Sequence, residues 1–179
     1  KEKQAVEYEA MPDMPISLAY TAAVVINGSV YVAGGQEHPN GEPTRHFLKL
    51  DLNNYGKQTL KWEQLDLLPG LGRTMPVLAA QHNGTNDCIY LFSGKTKANG
   101  SEVLLHDAYT YNPKTLKWKK LRDIQLKGQP LKCVTGAASI SVGLNHILVF
   151  GGADSEDHKV FRQAFADFNA AKDPNEREG

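Results

Sequence analysis

Apolar and polar positions along this chain fall into short runs of strand length, several of them closed by glycine. Tyr31-Val32-Ala33-Gly34-Gly35, Tyr90-Leu91-Phe92-Ser93-Gly94 and Leu148-Val149-Phe150-Gly151-Gly152 share one form. From Gly35 to Gly94 is 59 residues, and from Gly94 to Gly152 is 58. A near-constant spacing of this size marks one supersecondary unit used repeatedly, each unit burying its apolar face against the next.

The first unit is the clearest. Thr21-Ala22-Ala23-Val24-Val25-Ile26 predicts a strand, Asn27-Gly28 a two-residue hairpin turn, and 29–33 the returning strand. A loop over 36–45 follows, then third and fourth strands at 46–51 and 61–65. The second unit repeats this order: strands at 77–82 and 87–92, a polar loop over 95–105, and strands at 108–111 and 117–121. Its Tyr111-Asn112-Pro113-Lys114-Thr115-Leu116-Lys117-Trp118 run sets a turn between two aromatics that can pack across adjacent strands. The third unit supplies strands at 136–142 and 146–150. Beyond it, Val160, Ala164, Phe165 and Phe168 share one face of a helix expected over 160–168. At the other end, 5–12 aligns with 62–69 and is expected to be an isolated fourth strand.

Composition narrows the function classes. Lys and Arg together number 20, matching 20 Asp and Glu, and there is no basic run. A nucleic-acid partner is therefore not expected, because phosphate neutralisation dominates such binding. No apolar run reaches the roughly 18 residues of a membrane span. Cys88 and Cys133 are too few for a disulfide scaffold and read as small buried hydrophobes. The six histidines show no paired metal-ligand spacing, so neither a metal nor another cofactor is expected.

The Gly-Gly strand endings, the Tyr111 to Trp118 run and the four-strand unit resemble kelch repeats. That resemblance implies an all-β fold, a kelch-type β-propeller of four-stranded antiparallel blades around a channel. More narrowly, Met14-Pro15, Leu50-Asp51, the lengthened turn to Trp62 and Leu68-Pro69-Gly70 with Arg73 resemble the N-terminal half of bacterial N-acetylneuraminate (sialic acid) mutarotases, also called epimerases. The resemblance implies six blades, a helical insertion in an early blade, and acceleration of α- to β-anomer conversion of sialic acid after sialidase release. The expected organisation is a ring-closing strand in 1–15, blade 1 in 16–68, blade 2 in 69–125, the start of blade 3 in 126–158 and the helical insertion in 159–179. The remaining blades are expected from a second chain or a missing segment. With a removed export signal, a periplasmic or secreted location is expected. The alternative is a non-catalytic kelch module that binds a protein or glycan.

Antiparallel pairing puts the start of strand one and the end of strand two at the same mouth of the channel. Arg73, Thr74, Arg45, Glu37 and His38 are the candidate substrate-binding residues there, with Lys95, Lys97, Asp154, Glu156 and His158 nearby. Arg73 stands out because a planar guanidinium can hold the carboxylate of sialic acid bidentately. Mutarotation needs a proton taken from the anomeric hydroxyl and one delivered to the ring oxygen. Glu37, His38 and Asp154 qualify for that by position. The resemblance places the family's catalytic glutamate and arginine in a later blade, so no numbered residue here carries those roles.

Overall fold

The computed structural model describes residues 6, 8–125, 127–154 and 163. Its first sheet joins β1 (Ala22–Ile26), β2 (Ser29–Ala33), β3 (Phe47–Asp51) and β4 (Trp62–Gln64) in simple sequential order. Asn27 and Gly28 turn β1 into β2 with φ of +51° and +72°, the left-handed pair that suits the twist of a tight hairpin. The second sheet contains β5 (Val77–His82) and β6 (Asp87–Phe92), with β9 (Ala108–Asn112) and β10 (Lys117–Lys120) outside them. A third hairpin pairs β11 (Ala138–Val142) with β12 (His146–Phe150). All of these pairings are antiparallel.

One element departs from the expected order. The segment read as a polar loop over 95–105 is a hairpin of β7 (Lys95–Ala98) and β8 (Ser101–Leu104). Its turn, Asn99-Gly100, has φ of +50° and +74° and repeats the Asn27-Gly28 geometry. The dipeptide is a hairpin signal, but the Lys, Thr, Ser and Glu side chains around it carry no apolar alternation that would mark the strands.

The strand expected in the N-terminal segment would join a last blade that the described residues do not include. Among the described residues before β1 there is no strand, and Val6 and Tyr8 are exposed. This segment meets the outer edge of the first sheet through side chains: Trp62 Nε1 donates to the Pro12 carbonyl at 2.9 Å, and the Tyr55 hydroxyl bonds the Glu9 carboxylate. The helix expected over 160–168 and the segment to 179 lie outside the described residues, apart from Gln163.

The core sits between the first two sheets. Phe47 of β3 stacks on Tyr31 at 5.6 Å and meets Tyr111 and Trp118 of the neighbouring sheet at 5.0 and 5.1 Å between ring centres. Tyr111 and Trp118 pair directly across β9 and β10, as their spacing predicts. Each such aromatic pair adds about 1 kcal/mol beyond the area it buries. Leu48, Leu68, Ile89 and Leu91, all fully buried, fill the rest of the two blades.

Paired left-handed residues end the second strand of every unit. Gly34 and Gly35 have φ of +69° and +98°, Ser93 and Gly94 +60° and +102°, Gly151 and Gly152 +68° and +85°. At Gly34 the neighbouring blade is also close: a Cβ there would lie 2.4 Å from the Arg73 carbonyl oxygen. Gly84, by contrast, has φ +95° and open space around it. Gly34→Ala is therefore expected to destabilise the protein by about 3 kcal/mol, combining strain with backbone overlap, and Gly84→Ala by about 1 kcal/mol. Denaturant unfolding of both variants checks this, and equal losses would remove the role assigned to the close approach.

Candidate functional site

The first strand of each unit is entered through a residue with positive φ: Tyr20 at +58°, Met75 at +51° and Gly136 at +71°. These three are linked from one unit to the next. Met75 N–H donates to the Tyr20 carbonyl at 2.7 Å, and Gly136 N–H donates to the Met75 carbonyl at 2.9 Å. Just before each of them, a two-bond bridge ties the chain to the residue following the left-handed pair: Ala19 with Gln36, Thr74 with Lys95, and Thr135 with Ala153. The mouth is thus one repeated backbone construction.

Below this mouth, β1, β5 and β11 lie side by side and line an open trough of about 770 Å³. Its described lining is Ala, Val, Leu, Ile, Ser and Thr from the three strands with Tyr20, Met75, Pro76 and Gly136 at the rim, and contains no Asp, Glu, His, Lys or Arg. Ser139 and Ser141 donate their hydroxyls to the Leu78 and Ala80 carbonyls, stitching β11 to β5. Tyr20 and Met75 also border a smaller pocket of about 310 Å³, enclosed by the 36–43 loop and the β7–β8 hairpin.

Arg73 departs from its expected role. It is fully buried and grips a carboxylate of its own chain: Nη1 and Nη2 donate to the two Asp107 oxygens at 2.8 and 2.9 Å. Nη1 also donates to the Ser93 carbonyl and Nε to the Leu71 carbonyl, while the guanidinium carbon lies 5.7 Å from the Tyr109 ring centre. The bidentate geometry foreseen for a ligand is met by an internal partner 34 positions later in the chain. Arg73 joins the blades through its backbone as well, its carbonyl accepting from Gly35 and its N–H donating to Thr44.

The other candidates spread across the mouth. Thr74 is buried on the smaller pocket, with its hydroxyl 3.4 Å from the Lys95 carbonyl. Arg45 is turned back to the Leu68 carbonyl at 2.6 Å. Glu37 pairs with His46 at 3.2 Å, and with His38 it lines a separate shallow depression. Neither Arg45, Glu37 nor His38 lines the trough or the pocket beside it. Lys95 and Lys97 border that pocket, and Asp154 pairs with Lys132 at 3.0 Å. Glu156 and His158 lie outside the described residues. Cys133 is buried with Ser93 and Thr135, its thiol 3.2 and 3.0 Å from their hydroxyls, and Cys88 is buried as well.

Sequence reasoning passed over Asp107, Ser93 and Gln36. Gln36 had a usable signal, since it follows Gly34-Gly35 as Lys95 follows Gly94. Ser93 stands where the other units have glycine, and its hydroxyl accepts from Val134 N–H at 2.9 Å, joining the second unit to the third. Asp107 had no local signal.

Two four-stranded antiparallel blades and a third hairpin, with left-handed pairs closing every second strand and first strands lining a common trough, define a kelch-type all-β blade protein. The chain belongs to the N-acetylneuraminate epimerase family, whose family model matches residues 11–179. It is 29% identical over 168 residues to N-acetylneuraminate epimerase of Pasteurella multocida (strain Pm70), covering 93% of this chain and 39% of that protein. It is 28% identical over 173 residues to N-acetylneuraminate epimerase of Brucella suis, covering 95% and 39%. The solved structure described as "Structure of YjhT" superposes with a TM-score of 0.63 at 25% identity, over 92% of this chain and 42% of that one. The chain thus spans about two fifths of the relatives it matches.

The clamp at the mouth is expected to weaken in acid. Burial alone would raise the Asp107 carboxyl, but the Arg73 guanidinium and the Tyr109 hydroxyl outweigh it and hold the group below its ordinary value. A carboxyl depressed in the folded state contributes stability above its unfolded value, near 4, and loses it as pH falls through the folded one. The stability gap between the native chain and Asp107→Asn is therefore expected to shrink steadily below about pH 4. Arg73→Met leaves the carboxylate without its partner and is expected to cost about 3 kcal/mol at neutral pH. Urea unfolding between pH 3 and 7 measures both, and a pH-independent gap for Asp107→Asn would contradict the assignment.

Proposed function

We propose that these blades form part of a six-bladed propeller that accelerates interconversion of the α- and β-anomers of N-acetylneuraminate. The observation that carries the reading is the family match over 11–179, joined to a trough lined by the first strands of three successive units. Mutarotation moves one proton off the anomeric hydroxyl and another onto the ring oxygen. The described trough lining offers no carboxylate, histidine or cation for either transfer. In this reading the trough supplies a shaped, uncharged wall, and the proton-transfer groups come from further blades. The share of the relatives' length that the chain covers supports such additional blades.

The third unit supports them too. Leu148 and Phe150 are 45% and 56% exposed, yet counted back from the glycine pair they occupy the positions of Tyr31 and Ala33. In the first unit those two are buried, and Tyr31 meets Tyr111 of the following blade at 6.2 Å. A next blade on the β11–β12 face would bury Leu148 and Phe150 in the same way. That face also favours the rival reading, a non-catalytic module docking a partner through exposed apolar residues. Proton NMR of α-sialic acid freshly released by a sialidase separates the two. The complete protein is expected to speed the appearance of the β-anomer in proportion to its concentration, and an unchanged rate would overturn the enzymatic reading.

A further inference from the structure

We infer that the pocket between the 36–43 loop and the β7–β8 hairpin is a subsite for an uncharged, polyhydroxylated chain, and that it does not take a carboxylate. The pocket opens beside the trough, sharing Tyr20 and Met75 with it. It exists because the second unit carries a hairpin after its glycine turn, and that hairpin leans across to the first unit. Lys97 Nζ makes the crossing, donating to the Asn40 and Gly41 carbonyls at 3.0 Å each.

The charges at this pocket are already matched. Lys95 Nζ lies 2.6 Å from Glu102, and Lys97 has Glu42 at 3.8 Å besides its two carbonyls. An entering carboxylate would compete with a carboxylate already in place, at the cost of its own desolvation. Neutral polar groups remain available. The Gln36 side chain is held by one bond, Nε2 to the Pro39 carbonyl at 2.8 Å, which leaves Oε1 as an acceptor among the described residues. The Asn40 amide makes no side-chain bond to another described residue. Amide donors and acceptors beside Tyr20, Pro39 and Pro43 suit hydroxyls on one edge of a carbon chain and C–H groups on the other.

Under the proposed function, the uncharged three-carbon glycerol tail of N-acetylneuraminate fills this pocket while its ring lies over the trough. That assignment of the tail rests on the proposed function; the preference for polyols over carboxylates does not. The test measures binding of the sugar to the complete protein, beside an analogue whose tail has been cut to one carbon by periodate and borohydride treatment of its methyl glycoside, the glycoside then being hydrolysed. The intact sugar is expected to bind five- to tenfold more tightly, the scale of one or two hydrogen bonds. Asn40→Ala and Gln36→Leu are each expected to shrink that ratio while leaving the truncated sugar's affinity unchanged. Asn40 is exposed, so its variant keeps the test valid should Gln36→Leu fold poorly. Equal affinities for the two sugars, or a ratio untouched by both variants, would overturn the subsite. If neither sugar binds, the proposed function fails, and titration with glycerol and with acetate decides the pocket by itself. Glycerol shifting the Gln36 and Asn40 side-chain amide resonances upholds it, whereas a response to acetate alone, or to neither, overturns it.

Discussion

The backbone hydrogen bonds that pass from unit to unit at the mouth of the trough are the constraint on which the rest of the structure depends. Tyr20, Met75 and Gly136 each take a left-handed conformation, and through it each segment's peptide groups reach the next. For a tyrosine and a methionine this conformation costs about 1 kcal/mol or more, and it persists where the surroundings over-determine it. Here the bridges on one side and the strand on the other supply that determination. The trough, the clamp and the side pocket all hang from this arrangement.

The same arrangement explains why the charged residues sit where they do. Close approach of two backbones at Gly34 and Arg73 leaves no room for solvent, so a guanidinium there must find its partners within the protein. Asp107, Ser93 and Leu71 supply them. The first strands carry small side chains where β1, β5 and β11 lie side by side, and the trough between them is uncharged among its described residues. Around the side pocket charge returns, in compensated pairs such as Lys95 with Glu102.

Much of the fold was legible in the residue pattern. The hairpin at Asn27-Gly28, the Tyr111 and Trp118 pair and the glycine turns all rest on local rules, in which neighbours within a few residues decide the geometry. The β7–β8 hairpin was missed although Asn99-Gly100 announced it, because half-buried strands built mostly of Lys, Thr, Ser and Glu carry no apolar alternation to read. The isolated strand expected near residue 8 finds no ladder partner among the described residues, since a strand forms only where another edge is present to receive it.

The site was less legible. Arginine before a strand at the mouth was a sound reason to look at Arg73, and its position in the sequence put a cation at the entry to β5. Whether that cation faces a ligand or the protein depended on Asp107, whose proximity arises from the return of the chain through β6, β7 and β8. The repeat, its strands and its turns follow from the sequence because backbone preference and burial pattern act over short distances. The partner of each charge was decided by tertiary structure alone, because electrostatic pairing follows distance in space and no local pattern records it.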